Sequence, residues 1–197
     1  MLFAKITYME HSCQLAYIIG VSLGDGNLSC PNGRATRLRI TCDTQYPDII
    51  KDITLSLNYL FPNNKVSHIV RSDNCVDISV YSNLLNEYMP WKVYKGSKYK
   101  QQAHVPGWIL EDNTFTKACL KGLIQTDGSI YNDRKYKMVN FNNMTKELVD
   151  DVFNMMTQLG YSPKKYQTAQ RNHTIKYSIR LSKEVAAFLD EIHLYKS

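Results

Sequence analysis

Apolar and polar positions along the chain change period several times, and each change marks an element. Gln14 to Leu23 reads as a helix ending at Gly24-Asp25-Gly26, after which Asn27 to Cys30 alternates polar and apolar. Pro31-Asn32-Gly33 is a turn signal and Arg37 to Cys42 alternates again, so this stretch predicts a β-hairpin. Leu38, Ile40 and Cys42 belong on its covered face, with Arg37, Arg39 and Thr41 on the open one. Ile49, Ile50, Ile53, Leu57 and Leu60 then recur at helical spacing between Pro47 and Pro62. A second hairpin is expected over Lys65 to Arg71 and Cys75 to Tyr81, with Val76, Ile78 and Val80 opposed to Asp77, Ser79 and Tyr81. Ser82 is positioned to cap a short helix to about Met89.

The same series then comes a second time. Residues 90–113, punctuated by Pro90, Gly96, Pro106 and Gly107 and rich in Lys and Tyr, read as a connection between halves spanning 1–89 and 114–197. Trp91 and Trp108 predict some ordered packing within it. A helix from about Thr114 to Thr126 ends at Asp127-Gly128. A hairpin follows through Ser129-Ile130-Tyr131, the turn Asn132-Asp133-Arg134, and Tyr136 to Asn142. Thr145 caps a helix to Leu159, strands lie near Lys164 to Gln170 and Thr174 to Leu181, and Ser182 caps a last helix to about Leu194. Each half is therefore αββαββα, α+β in class, with an antiparallel sheet whose apolar face the helices must cover.

The two helix ends share more than their place in the repeat. Small residues fall at every fourth position, Ala16, Gly20 and Gly24 in one copy and Ala118, Gly122 and Thr126 in the other. Such a stripe lets two helices approach backbone to backbone, which offsets the roughly 1 kcal/mol that a mid-helix glycine costs. Packed in parallel, the helices bring Asp25 and Asp127 together beside two C-termini that carry partial negative charge. That combination asks for a divalent cation, and carboxylate and carbonyl oxygens without a thiol or imidazole set point to Mg²⁺, with Mn²⁺ or Ca²⁺ as substitutes. Taken singly, either Asp-Gly would be an ordinary helix end and turn.

Composition narrows the partner. The 197 residues carry 24 Lys and Arg against 18 Asp and Glu, a net charge of +6, which favours a polyanion. The left-open sheet positions suit one: Asn27, Ser29, Arg37, Arg39, Thr41, Lys65, Ser67, Arg71, Asp77 and Ser79 in half one, and Ser129, Tyr131, Asn140, Asn142, Lys176, Ser178 and Arg180 in half two, with Arg34 and Arg134 beside the hairpin turns. Lys164 to Arg171 is polar on both faces. Cys13, Cys30, Cys42, Cys75 and Cys119, an odd number with no Cys-x-x-Cys, argue against a disulfide framework or a structural zinc site, and the five histidines have no ligand spacing. Neither a secretory leader nor a spanning helix is expected, and the reading is of an intracellular protein of cytoplasm, nucleoid or organelle matrix rather than a secreted or membrane one.

From Gln14 to Leu194 the chain resembles a single-chain LAGLIDADG homing endonuclease, through Gly20-Val21-Ser22-Leu23-Gly24-Asp25-Gly26, Gly122-Leu123-Ile124-Gln125-Thr126-Asp127-Gly128, the repeated αββαββα order and Val105-Pro106-Gly107-Trp108-Ile109 before the second motif. The resemblance implies a monomer with internal pseudo-twofold symmetry, a saddle of two sheets astride a long pseudo-palindromic or asymmetric double-stranded DNA site. It implies metal bound by Asp25 and Asp127 with the carbonyls of Gly24 and Thr126, hydrolysis of one phosphodiester per strand across the minor groove, and short 3′ overhangs. The family's usual Lys or Gln near the metals has no counterpart. The nearest positions are Cys42 and Asn142 or Asn143, with Lys137 or Gln125 as stand-ins. That departure keeps open a maturase binding intron RNA on the same fold; a DNA-binding regulator that does not cut is a third reading, and retention of both aspartates counts against it.

Overall fold

The computed structural model describes residues 9–170 and 174–194; residues 1–8, Arg171 and His173 lie outside the described residues. The first half runs α1 (Cys13–Asp25), β1 (Gly26–Ser29), β2 (Arg37–Asp43), α2 (Pro47–Leu60), β3 (Ser67–Val70), β4 (Cys75–Tyr81) and α3 (Leu85–Tyr88). A short α4 (Gly107–Leu110) lies in the connecting stretch. Then come α5 (Asn113–Thr126), β5 (Gly128–Asp133), β6 (Tyr136–Asn143), α6 (Lys146–Gln158), β7 (Lys164–Ala169), β8 (Ile175–Leu181) and α7 (Val185–Glu191). The halves form antiparallel sheets of the same order, β1-β2-β4-β3 and β5-β6-β8-β7.

Alternation along the inner strands decides which face is covered. Leu38, Ile40, Ile78 and Val80 are fully buried in one sheet, and Val139, Phe141, Ile179 and Leu181 in the other. Amphipathic α2 closes the first through Ile49, Ile53 and Leu57, and α6 the second through Leu148, Val149, Val152 and Met155. Helix α1 is different: Leu15 to Leu23 are all buried, as expected for a helix packed on every side. Ser12 starts it by accepting the Leu15 N–H, and Asp112 starts α5 by accepting that of Thr114.

Several local expectations are corrected. Ser82 does not cap α3; its Oγ accepts the Leu84 N–H in a turn ahead of the helix. Ser182 does not cap α7, which starts at Val185 behind Glu184 in the left-handed conformation. Thr145 holds the N-cap position of α6, but its side chain makes no capping bond. The turn of the third hairpin is Arg134-Lys135 rather than Asn132-Asp133-Arg134, because β5 continues to Asp133, which pairs with Tyr136, and Arg134 supplies the positive φ of 58°.

Candidate functional site

Glycine decides how α1 and α5 meet. A Cβ built on Gly20 would lie 2.3 Å from the Cys119 carbonyl oxygen, one on Gly122 would lie 2.6 Å from the Tyr17 carbonyl oxygen, and one on Gly24 would lie 2.1 Å from Thr126 Oγ1. Partner numbers rise together along the two helices, so they run parallel and both C-termini reach the same end. Ala16 is fully buried and Ala118 half-buried. Thr126 turns its hydroxyl back to the Gly122 and Leu123 carbonyls, at 3.0 and 3.2 Å.

This packing brings the motif aspartates within electrostatic reach of each other. The carboxyl carbon of Asp127 is 3.5 Å from the place a Gly24 Cβ would take. Burial, and behind it the Asp25 charge, pushes the Asp127 carboxyl above the usual aspartate range against the opposing bond from Asn143. Asn143 Nδ2 donates to Asp127 Oδ2 at 2.7 Å, and the other end of the same amide accepts the Thr145 N–H at 2.8 Å. The turn into α6 thereby fixes the amide's orientation.

Strand register identifies the matching position in half one. Gly26 pairs with Ile40 and Gly128 with Phe141, so Asn143 corresponds to Cys42, and Asn142 to Thr41. Cys42 is a free thiol that burial, with Asp25 next, pushes up to about 12; it is neutral near pH 7. The two stand-ins for the missing basic residue lie in other surroundings. Gln125 accepts a bond from the Tyr17 hydroxyl at 2.7 Å. Lys137 sits opposite Asn132, four pairs along the ladder from Gly128, roughly 13 Å away, and on the helix side of the sheet.

The cation at the site is instead Lys98, from the connecting stretch. Its ammonium donates to the carbonyls of Ser22 at 3.0 Å, Leu23 at 2.8 Å and Gly24, the last turn of α1. It lies 5.4 Å from the centre of the buried Trp91 ring. Burial pulls its pKa down to about 8, outweighing the opposing pull of Asp127 and Asp25. Sequence placed Lys98 in a Lys- and Tyr-rich run, but a contact with residues 74–76 positions away leaves no local signal.

The donor set fits a hard divalent ion. Two carboxylates and nearby helix-end carbonyls supply oxygen only, and no cluster of three or more His, Cys, Asp or Glu occurs among the described residues. Magnesium is characteristically held by one or two carboxylates completed by water and substrate phosphate.

Both open sheet faces carry polar side chains, placed in register. In half one Asn27 stands opposite Arg39, Ser29 opposite Arg37, and Ser67 and Arg39 flank Ser79. Asp77 and Ser79 are corrected from exposed to buried, at 9% and 7%, because β4 has a neighbour on each side. Asp77 accepts from Thr41 at 2.6 Å and pairs with Arg39 and Arg71, each at 3.8 Å. Lys65 precedes β3, Arg71 follows it, and Arg34 is exposed in the β1–β2 loop. In half two Ser129 stands opposite Asn140, Ser178 donates to Asn142 at 2.7 Å, and Arg180 donates to the Tyr131 hydroxyl at 2.9 Å. Register also settles β7: Lys164, Tyr166 and Thr168 share the open face with Arg180, Ser178 and Lys176. Lys165, on the other face, pairs with Asp150 on α6.

Comparison with known proteins agrees with this architecture. Residues 114–193 match the LAGLIDADG-like domain, and residues 14–76 match the WhiA LAGLIDADG-like domain. By sequence, no curated protein matches the chain. Among solved structures, a variant of the homing endonuclease I-DmoI in complex with its target DNA and Mg matches with a TM-score of 0.67 at 20% identity, over 93% of this chain and 97% of that one. I-DmoI with DNA and Mn matches at 0.66 and 20%, over 94% and 98%. Full-length DUF199/WhiA from Thermatoga maritima matches at 0.63 and 16%, over 98% of this chain and 59% of that one. No helix among the described residues is long and apolar enough to cross a membrane.

Proposed function

The chain belongs to the LAGLIDADG family, with one motif in each half, and we propose that it is a sequence-specific endonuclease of double-stranded DNA. The observation that carries this is the parallel seam of α1 and α5, which gathers Asp25 and Asp127 at one end of the molecule, where β1 and β5 each leave their motif for an open polar sheet. Asp25 and Asp127, with the carbonyls of Gly24 and Thr126, would hold divalent metal, Mg²⁺ with Mn²⁺ or Ca²⁺ as substitutes. The bound ion supplies positive charge to a phosphodiester and acidifies water.

The chain's own residues supply the rest. Asn143 holds the Asp127 carboxylate in one orientation, and the two aspartates gather the negative charge that would hold metal at the shared end of the helix pair. The open faces grip a long site, arginines, lysines and hydroxyls on phosphates and base edges alike. In each strand water attacks phosphorus as the bond to the 3′-oxygen breaks, leaving a 5′-phosphate and a 3′-hydroxyl. Cuts across the minor groove leave short 3′ overhangs. The protein acts as a monomer whose halves form a pseudo-twofold pair.

A randomised DNA library incubated with the protein and Mg²⁺ tests this. Enriched double-strand cuts at one sequence, lost in Asp25→Asn and Asp127→Asn, are expected. Intact cutting by both variants together would refute the metal assignment. A second reading, a DNA-binding regulator without cleavage, is favoured by the match of residues 14–76 to the WhiA LAGLIDADG-like domain. Tight selection of one DNA sequence with no cutting in Mg²⁺ or Mn²⁺ would establish it. No structural observation favours intron RNA over duplex DNA.

A further inference from the structure

Lys98 is held in place with more structure than a linker lysine needs. Gln101 staples its segment, donating to the carbonyls of Lys92 and Gly96 at 2.9 Å each and accepting the Lys92 N–H at 2.9 Å. The Ala103 N–H closes a turn onto the Lys98 carbonyl at 3.0 Å, and Trp91, Ala103 and Val105 anchor the stretch in the core. The ammonium is thus delivered to the last turn of α1, onto a carbonyl, that of Gly24, which the proposed function assigns to metal.

Charge accounts for its presence. Two aspartates and two helix C-termini, each worth about half a negative charge, sum to about −3. One ammonium offsets a third of that and leaves the remainder for a divalent ion. An ammonium and a divalent ion on one carbonyl oxygen, however, repel each other strongly at such short range.

We propose that Lys98 is a tethered cation resident at the junction of the two motif helices: it neutralises that junction in the metal-free protein, and a divalent ion must displace it from the Gly24 carbonyl to bind there. This rests on the reading of Asp25 and Asp127 as the metal-binding pair. Asp127 acts on the ammonium ahead of Asp25, so both motif aspartates face it, and the Gly24 carbonyl is open to a divalent ion only as the lysine leaves.

The test is Mn²⁺ binding to the full chain without DNA, followed by the electron paramagnetic resonance of free Mn²⁺. If the ammonium occupies the carbonyl about nine-tenths of the time, removing it raises the Mn²⁺ affinity at that carbonyl about tenfold. Lys98→Met should show that gain, whereas Lys98→Arg, which keeps the charge, and Lys100→Met, which removes an exposed charge from the same segment, should stay within about twofold of the original. Equal or weaker binding by Lys98→Met overturns the proposal while leaving the metal reading intact. Absence of Mn²⁺ binding in the unaltered protein overturns both. A measurement on the unaltered protein removes dependence on variant folding: amine labelling of Lys98, read by peptide mass spectrometry, should rise several-fold at saturating Mn²⁺, and an unchanged yield overturns the proposal.

Discussion

Gly20 faces the backbone of Cys119 so closely that an added Cβ would stand 2.3 Å from its carbonyl oxygen. Neither backbone can yield without shifting a whole helix. Gly20→Ala should therefore destabilise the protein by about 1–3 kcal/mol in denaturant titration, and Gly122→Ala, against the Tyr17 carbonyl, by a similar amount. The double variant should lose less than the sum, since one separation of the helices relieves both clashes. Gly107→Ala, with nothing within 4 Å, is the control and should stay within about 0.5 kcal/mol.

The two strands should be cut at different rates. Asn143→Ala removes the donor that orients Asp127 and should slow the strand served by that carboxylate about 10- to 100-fold, the range for a group supporting a metal ligand. Cys42→Ala removes a neutral thiol and should change the other strand by less than about twofold. Differently end-labelled strands resolve this as accumulation of a nicked intermediate in the first variant.

Half one should owe its base preference to Asp77. The carboxylate draws in Arg39 and Arg71, so Asp77→Asn should relax selection at the base pairs those arginines meet, by about 1–3 kcal/mol at each position. Lys164→Ala, at the edge of the other open face, should weaken all sequences alike and lower the salt slope by about one phosphate contact. Binding measured against a half-site library at several salt concentrations separates the two behaviours.

Acid should undo the start of α5. The Thr114 backbone N–H, with its hydroxyl, holds the Asp112 carboxyl below the usual aspartate range. A depressed value means the cap stabilises the fold above the unfolded-state pKa near 4 and ceases to do so as pH falls through the lower folded value. Asp112→Ala should thus lower the melting temperature at pH 7, with the difference shrinking below about pH 4.

Much of this architecture was legible because it is written twice. Period-two alternation at Leu38, Ile40, Ile78 and Val80, and the small-residue stripe from Ala16 to Thr126, are local patterns whose physical meaning needs no neighbour. What stayed hidden was non-local. The exposed face of β7 follows from pairing with β8, since its own residues are polar on both sides. The correspondence of Cys42 with Asn143 rather than Asn142 follows from register, where one residue changes the face. Lys98 and Asp77 carry the same lesson: their partners come from other strands and other segments, and Asp77 in an alternating strand looks like any solvent-facing acid.

Gly24 and Thr126 show where the two copies of the motif have become complementary rather than alike. Thr126 occupies the space that Gly24 leaves empty, so volume has moved across the pseudo-dyad from one helix to the other. Two copies of the first half would bring glycine to glycine and let the helices close further; two copies of the second would bring threonine against threonine and hold them apart. At this seam each half is shaped to the other rather than to a copy of itself.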